Sequence, residues 1–168
     1  MNWLQKNRPE RVETFQPGLS REEIDHLIGS LPIQITEELY EIYQWRNGST
    51  DWNGTDSLVS PILEFMPLEE AINSFYDLFN LFTETPLLDE SFSYDERQLF
   101  PIICENSSCY YAVMVDNKER MISPVMDVDS EGDLSIVFNS LTDMMQTLAE
   151  YCETGTYYID AEGFLATR

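Results

Sequence analysis

Hydrophobic positions recur at helical spacing in four stretches of the chain, and shorter apolar blocks lie between the second and the fourth. Ile24, Leu27, Ile28 and Leu31 share one face of a first helix, so that face must be buried. Ser20 and, three residues on, Glu23 form a capping box at its start. Leu31-Pro32 breaks this helix from the next. Thr36 caps the second helix, with Glu37 and Glu38 near its positive end, and Ile35 and Tyr40 stand where a hydrophobic staple fixes its direction. Leu39, Ile42, Tyr43 and Trp45 make its apolar stripe, and Gly48 is expected to end it in a left-handed conformation. A longer helix is predicted over Leu68–Phe82, with Leu68, Ala71, Ile72, Phe75, Leu78, Phe79 and Phe82 facing inward. Asn139 or Ser140 caps a last helix that runs to Cys152, its inward side carrying Leu141, Met144, Met145, Leu148 and Cys152.

The blocks between read as strands. Ile62–Met66 is short and stopped by Pro67, while Leu99–Cys104 and Cys109–Asp116 are joined across Glu105–Ser108. Met121–Val128 is a third sheet strand in which Pro124 signals an edge or a bulge. Leu134–Phe138 follows the turn Asp129–Asp133. Strands in a run between helices predict a single α+β domain, a mainly antiparallel sheet packed with N-terminal, middle and C-terminal helices. Residues 1–17 are expected as a loosely ordered arm from which Trp3, Leu4, Val12 and Phe15 can dock. Residues 18–153 form the α+β domain, and residues 154–168 a tail packed on it.

Charge changes the picture more than composition does. The net charge is −22, and from Asn47 to Glu96 eleven carboxylates occur with no Lys or Arg. From Met121 to Thr167 nine more occur, again with no basic residue. Such a field repels phosphates, which excludes a nucleic-acid partner, and it disfavours anionic membranes. It speeds encounter with a basic protein surface. Hydrophobic residues make up 43% of the chain, enough for a packed core in 168 residues. No secretory signal or membrane span is read in it, and Cys104, Cys109 and Cys152 show no CxxC spacing, so a reducing cytoplasm is expected.

Candidates for chemistry are few. His26 is the only histidine, and nothing near it in sequence supports a nucleophile–base pair. Asp127-Val128-Asp129-Ser130-Glu131-Gly132 imitates the start of a calcium loop, but Phe138 stands where the bidentate Glu belongs. No phosphate-cradling glycine loop, metal-binding His/Cys cluster or nucleophile elbow occurs, so no catalytic residue, metal or cofactor is expected.

The residues Leu31-Pro32, Leu39-Tyr40, Tyr43 and Asn47-Gly48 stand in an order that resembles the SUKH superfamily. Phe65 with Leu68-Glu69-Glu70-Ala71, Phe100-Pro101-Ile102, Val137-Phe138 and Ser140-Leu141 continue that resemblance, from Gly18 to Cys152. It implies an α+β fold and a protein partner: a cognate toxin, often a nuclease, for the bacterial immunity branch, or a cell-wall or signalling assembly for the fungal Smi/Knr branch. Binding to a basic toxin needs charge for encounter and aromatic anchors for affinity. Two regions carry both. One holds Asp89, Glu90, Phe92, Tyr94, Asp95 and Glu96. The other is the acidic tip Asp127, Asp129, Glu131 and Asp133, beside Tyr157-Tyr158.

Overall fold

The capping signals around Gly18–Ser49 organise the observed structure. A computed structural model describes residues 2–52, 65–84, 98–105, 109–115, 121–129, 134–161 and 165–168. Helix α3 (Arg21–Ile28) starts at the predicted capping box: the Ser20 hydroxyl accepts from Glu23 N, and the Glu23 carboxylate accepts from Ser20 N at 2.7 Å. Helix α4 (Glu37–Trp45) starts at Thr36, whose hydroxyl accepts from Leu39 N.

The segment before them is built in rather than left as an arm. Helices α1 (Asn2–Asn7) and α2 (Pro9–Val12) lead into strand β1 (Phe15–Pro17), which pairs antiparallel with β2 (Arg46–Ser49). Leu4 and Phe15 are buried, and Arg11 is anchored to Asp51. Pro9 fixes the first turn of α2, where its missing N–H costs nothing.

Gly48 does not end α4, contrary to expectation. The helix stops at Trp45 because Arg46 turns extended to pair with Pro17. Gly48 sits inside β2 at φ +69°, where a Cβ would fall 2.2 Å from Pro67 N. Only glycine fits that close approach of two backbones. Beside it, the Asn47 side-chain oxygen accepts from Leu68 N at 2.8 Å, and Ser49 N donates to Phe65 O at 2.8 Å. Asn47 thus closes the start of helix α5 (Leu68–Glu84), one residue before which Pro67 lies.

Strands β3 (Gln98–Glu105), β4 (Cys109–Val115), β5 (Val125–Val128) and β6 (Leu134–Phe138) form one antiparallel sheet in that order. The aligned row Val113, Val125 and Phe138 packs into the main core, with Tyr43, Phe65, Phe75 and Met144. The opposite row, Ala112, Met126 and Ile136, is buried until it reaches β6, where Ile136 is 57% exposed. Pro124 precedes β5, an inner strand between the edges β3 and β6, so it marks no edge; the register instead shifts just after it, between Val125 and Met126, an irregularity of the bulge kind that the proline signals. The Pro124 carbonyl accepts from Met114 N, so the proline continues the ladder by its acceptor alone. Phe79, expected inward, is 40% exposed: Leu68, Ala71, Phe75 and Leu78 take the buried line of α5, and Phe79 stacks on Phe75 at its flank. The side chain of Phe82 and the strand residues 62–64 lie outside the description. Helix α6 (Leu141–Thr154) is capped by Ser140, whose hydroxyl accepts from Asp143 N, and closed by Gly155 at φ +77°. Strands β7 (Tyr157–Ile159) and β8 (Leu165–Thr167) pair as a hairpin, with β7 against α6. Among the described residues no helix is long and apolar enough to cross a membrane.

Gly48→Ala should lower unfolding free energy by roughly 2–4 kcal/mol, through left-handed strain and overpacking. Asn47→Ala should lower it by about 1–2 kcal/mol, through the lost cap. Both are read as a reduced urea midpoint at unchanged slope; unchanged midpoints would remove this junction from the stability of the fold.

Candidate functional site

Of the predicted contact residues, Asp89, Glu90, Phe92, Tyr94, Asp95, Glu96, Glu131 and Asp133 lie outside the described residues. Asp127 and Asp129 are described. Asp127 is not at a loop tip: it sits in the inner strand β5, opposite Tyr111 and Ser135, and is half-buried. Burial, and then the Asp129 charge two residues on, raise its carboxyl above the ordinary range. His26 is exposed on α3. No group of three or more His, Cys, Asp or Glu side chains arranged to hold a metal occurs among the described residues. Cys104 is buried and Cys109 and Cys152 are half-buried, none of them in a disulfide.

Two grooves flank α4, and their chemistry differs. The first, of about 350 Å³, lies between α3 and α4 and is lined by charges of the chain that pair with one another. Arg21 forks onto Glu37 through two hydrogen bonds, 2.9 and 2.6 Å, and its guanidinium lies 3.9 Å from the centre of the Tyr40 ring. The Tyr40 hydroxyl in turn donates to Asp25 at 2.6 Å. The arginine holds the Glu37 carboxyl below its usual range, while burial and Asp25 push the Tyr40 hydroxyl up to about 12.

The second groove, of about 340 Å³, runs between α4 and α6. Glu38, Glu41, Ile42 and Trp45 line it from α4, a stripe set by the helical repeat. From α6, Leu141, Met145 and Ala149 supply apolar surface, and Thr142 and Gln146 polar edges. Glu38 is only 6% exposed, and its carboxylate accepts from Leu141 N (3.3 Å), Thr142 N (3.0 Å) and the Thr142 hydroxyl (2.5 Å). A side chain of α4 thereby closes the N-terminus of α6, where orphan N–H groups and the helix dipole both favour a negative charge. Glu38 was legible only as an acid near the start of its own helix. Its partner is more than a hundred residues away, and no local signal announces it. Trp45 does not join the buried stripe. It is 36% exposed, along the groove wall, with its ring 6.3 Å from that of Phe15. Glu41 is exposed at the rim. Neither α4 nor α6 contains a single Lys or Arg. The groove therefore offers apolar surface, one aromatic face and two carboxylates, Glu38 held by the start of α6 and Glu41 at the rim, the kinds of group that protein contacts use.

The model of the SMI1 / KNR4 family (SUKH-1) matches residues 18–147 of the chain, which takes in α3, α4, the four-stranded sheet and the start of α6. No curated protein matches the chain significantly.

Glu38→Ala should lose roughly 2–4 kcal/mol of stability, because buried N–H groups are left without an acceptor. Amide exchange should accelerate selectively at Leu141 and Thr142, and Glu38→Gln should lose less; uniform exchange along α6 would contradict the cap. Asp127 supplies a pH test. Its folded-state pKa is raised, so the folded state gives up that proton less readily and loses stability as pH rises through the raised range. Asp127→Asn should therefore unfold at higher temperature than the parent at neutral pH, and the gain should vanish well below pH 3.8. A gain equal at both pH values would contradict this account.

Proposed function

The chain belongs to the SMI1 / KNR4 family (SUKH-1), and on that premise we propose that it is a non-catalytic immunity protein that neutralises a basic, nuclease-type toxin by binding it. The observation that carries this reading is the α4–α6 groove: apolar, edged by carboxylates, and walled by two helices without one basic residue, in a chain of net charge −22. A nuclease must be basic to hold phosphates, and an opposing carboxylate field raises the rate at which its inhibitor meets it. Charge alone gives little affinity at an exposed rim, so the binding energy has to come from anchors in desolvated pockets. The groove supplies the pocket. The acidic stretch Asp89, Glu90, Asp95 and Glu96, together with Asp127, Asp129, Glu131 and Asp133, supplies steering charge, and Phe92 and Tyr94 further anchors. On this reading the protein works in the cytoplasm of the cell that makes the toxin.

The test is kinetic and genetic. Deleting the gene should arrest growth of its host, and simultaneous deletion of the linked toxin gene should relieve the arrest. With that toxin's purified C-terminal domain, the association rate should fall at least about tenfold as salt rises from about 0.01 to 0.15 M, where the Debye length shrinks from about 30 to 8 Å, with a smaller change in dissociation. A harmless deletion, or salt-insensitive binding to neutral partners, would instead favour a regulatory or scaffold role of the Smi/Knr kind.

A further inference from the structure

Helix α4 carries a carboxylate followed by an aromatic ring on each of two faces, and only one of these pairs is occupied. On the α3 side, Glu37 and Tyr40 hold Arg21: the guanidinium forks onto the carboxylate and stacks on the ring. On the α6 side, Glu41 and Trp45 stand four residues apart, close enough on a helix surface to act on one ligand. Among the described residues no cation meets them. The only other carboxylate in that groove, Glu38, is engaged by the N-terminus of α6. From Glu38 to Trp45 the groove runs about 10 Å, seven residues of helix rise. Its volume of about 340 Å³ suits one long side chain and is too small for a helix.

The geometry points to an arginine side chain of the partner protein as the occupant of the α4–α6 groove. Its aliphatic stem lies along Ile42, Met145 and Ala149, and its guanidinium stacks on Trp45 and forks onto Glu41. Arginine fits better than lysine, because the planar guanidinium both stacks on an aromatic face and binds a carboxylate in two-point fashion. The far end of the groove, where α4 and α6 both begin, is the positive end of two helix dipoles, so the cation is drawn toward Trp45 and away from Glu38. A second copy of this chain is a poor occupant, since it carries the same −22 charge. This inference rests on the protein-binding reading above and specifies the chemistry of its anchor.

The full chain, labelled at methionine methyls and backbone amides, is titrated by NMR with capped Gly-Arg-Gly and with its lysine, norleucine and glutamate counterparts. The arginine peptide should shift the Trp45 indole, the Met145 methyl and the Ala149 amide. The lysine peptide should bind more weakly, and the norleucine and glutamate peptides should leave these signals in place. Glu41→Gln, at an exposed position that leaves the core untouched, should weaken the arginine peptide by about threefold, and Trp45→Ala by at least as much. Ala149→Trp should fill the groove and abolish the shifts. Equal binding of arginine and norleucine, shifts away from the groove, no shift at all, or concentration-dependent broadening of these signals without peptide (a second copy on the groove) would each overturn the assignment. If the peptides do not bind while the whole protein still associates with its basic toxin in a salt-dependent manner, only this assignment falls. Loss of both removes the binding reading too.

Discussion

The structure depends on helix N-termini being closed from a distance. Every helix begins with backbone N–H groups that have no partner within it, and inside a core each such group must find an acceptor. Here the short stretch from α4 into β2 supplies acceptors to both of the longer helices. Glu38 closes α6 through Leu141 N and Thr142 N, and Asn47 closes α5 through Leu68 N. Gly48 then lets β2 press against Met66 and Pro67, with Ser49 bonded to Phe65. One segment thereby sets where the other two helices start, and both add side chains to the main core, Phe75 from α5 and Met144 from α6. The buried charge on Glu38 is tolerated because it meets a helix dipole and three donors instead of hydrocarbon.

That arrangement also shapes the surface available for binding. Because Glu38 draws the start of α6 against the start of α4, the two helices run side by side and leave a groove between them. The α3–α4 groove is of similar size, but the charged and aromatic side chains that line it, Arg21, Glu37, Tyr40 and Asp25, are engaged with one another. The two neighbouring clefts thus differ in how far their polar groups are satisfied by the chain itself. A field of this sign speeds encounter with basic surfaces in general, and an apolar, aromatic groove wall is a surface of the kind that supplies contact area which charge does not.

Much of the architecture was legible in the residue pattern. The capping box at Ser20 and Glu23, the Thr36 and Ser140 caps and the inward lines of α5 and α6 are local signals, each written within four or five residues. The departures share another cause. Residues 1–17 looked like an arm because their apolar side chains are scattered, and only the docking of Leu4 and Phe15 and the pairing of β1 with β2 order them. Pro124 signalled an edge or a bulge, and which of the two holds, a register shift beside an inner strand, depends on which strands flank it. Asp127 looked like part of an acidic tip and is held in an inner strand, where its ladder partners half-bury it.

What the sequence by itself determined is the α+β class, the helix starts, the resemblance that the family match bears out, and the acidic character of the chain. These follow from short-range periodicity, side-chain-to-backbone hydrogen bonds within one turn, and a sum of charges, none of which needs three dimensions. Only the tertiary structure decided that Glu38 caps a helix about a hundred residues on, that Gly48 serves a backbone contact and not a helix end, and that Glu41 and Trp45 line a groove beside α6. Those roles arise from residues distant in the chain meeting in space, and a linear pattern carries no record of which face of one helix will meet which end of another.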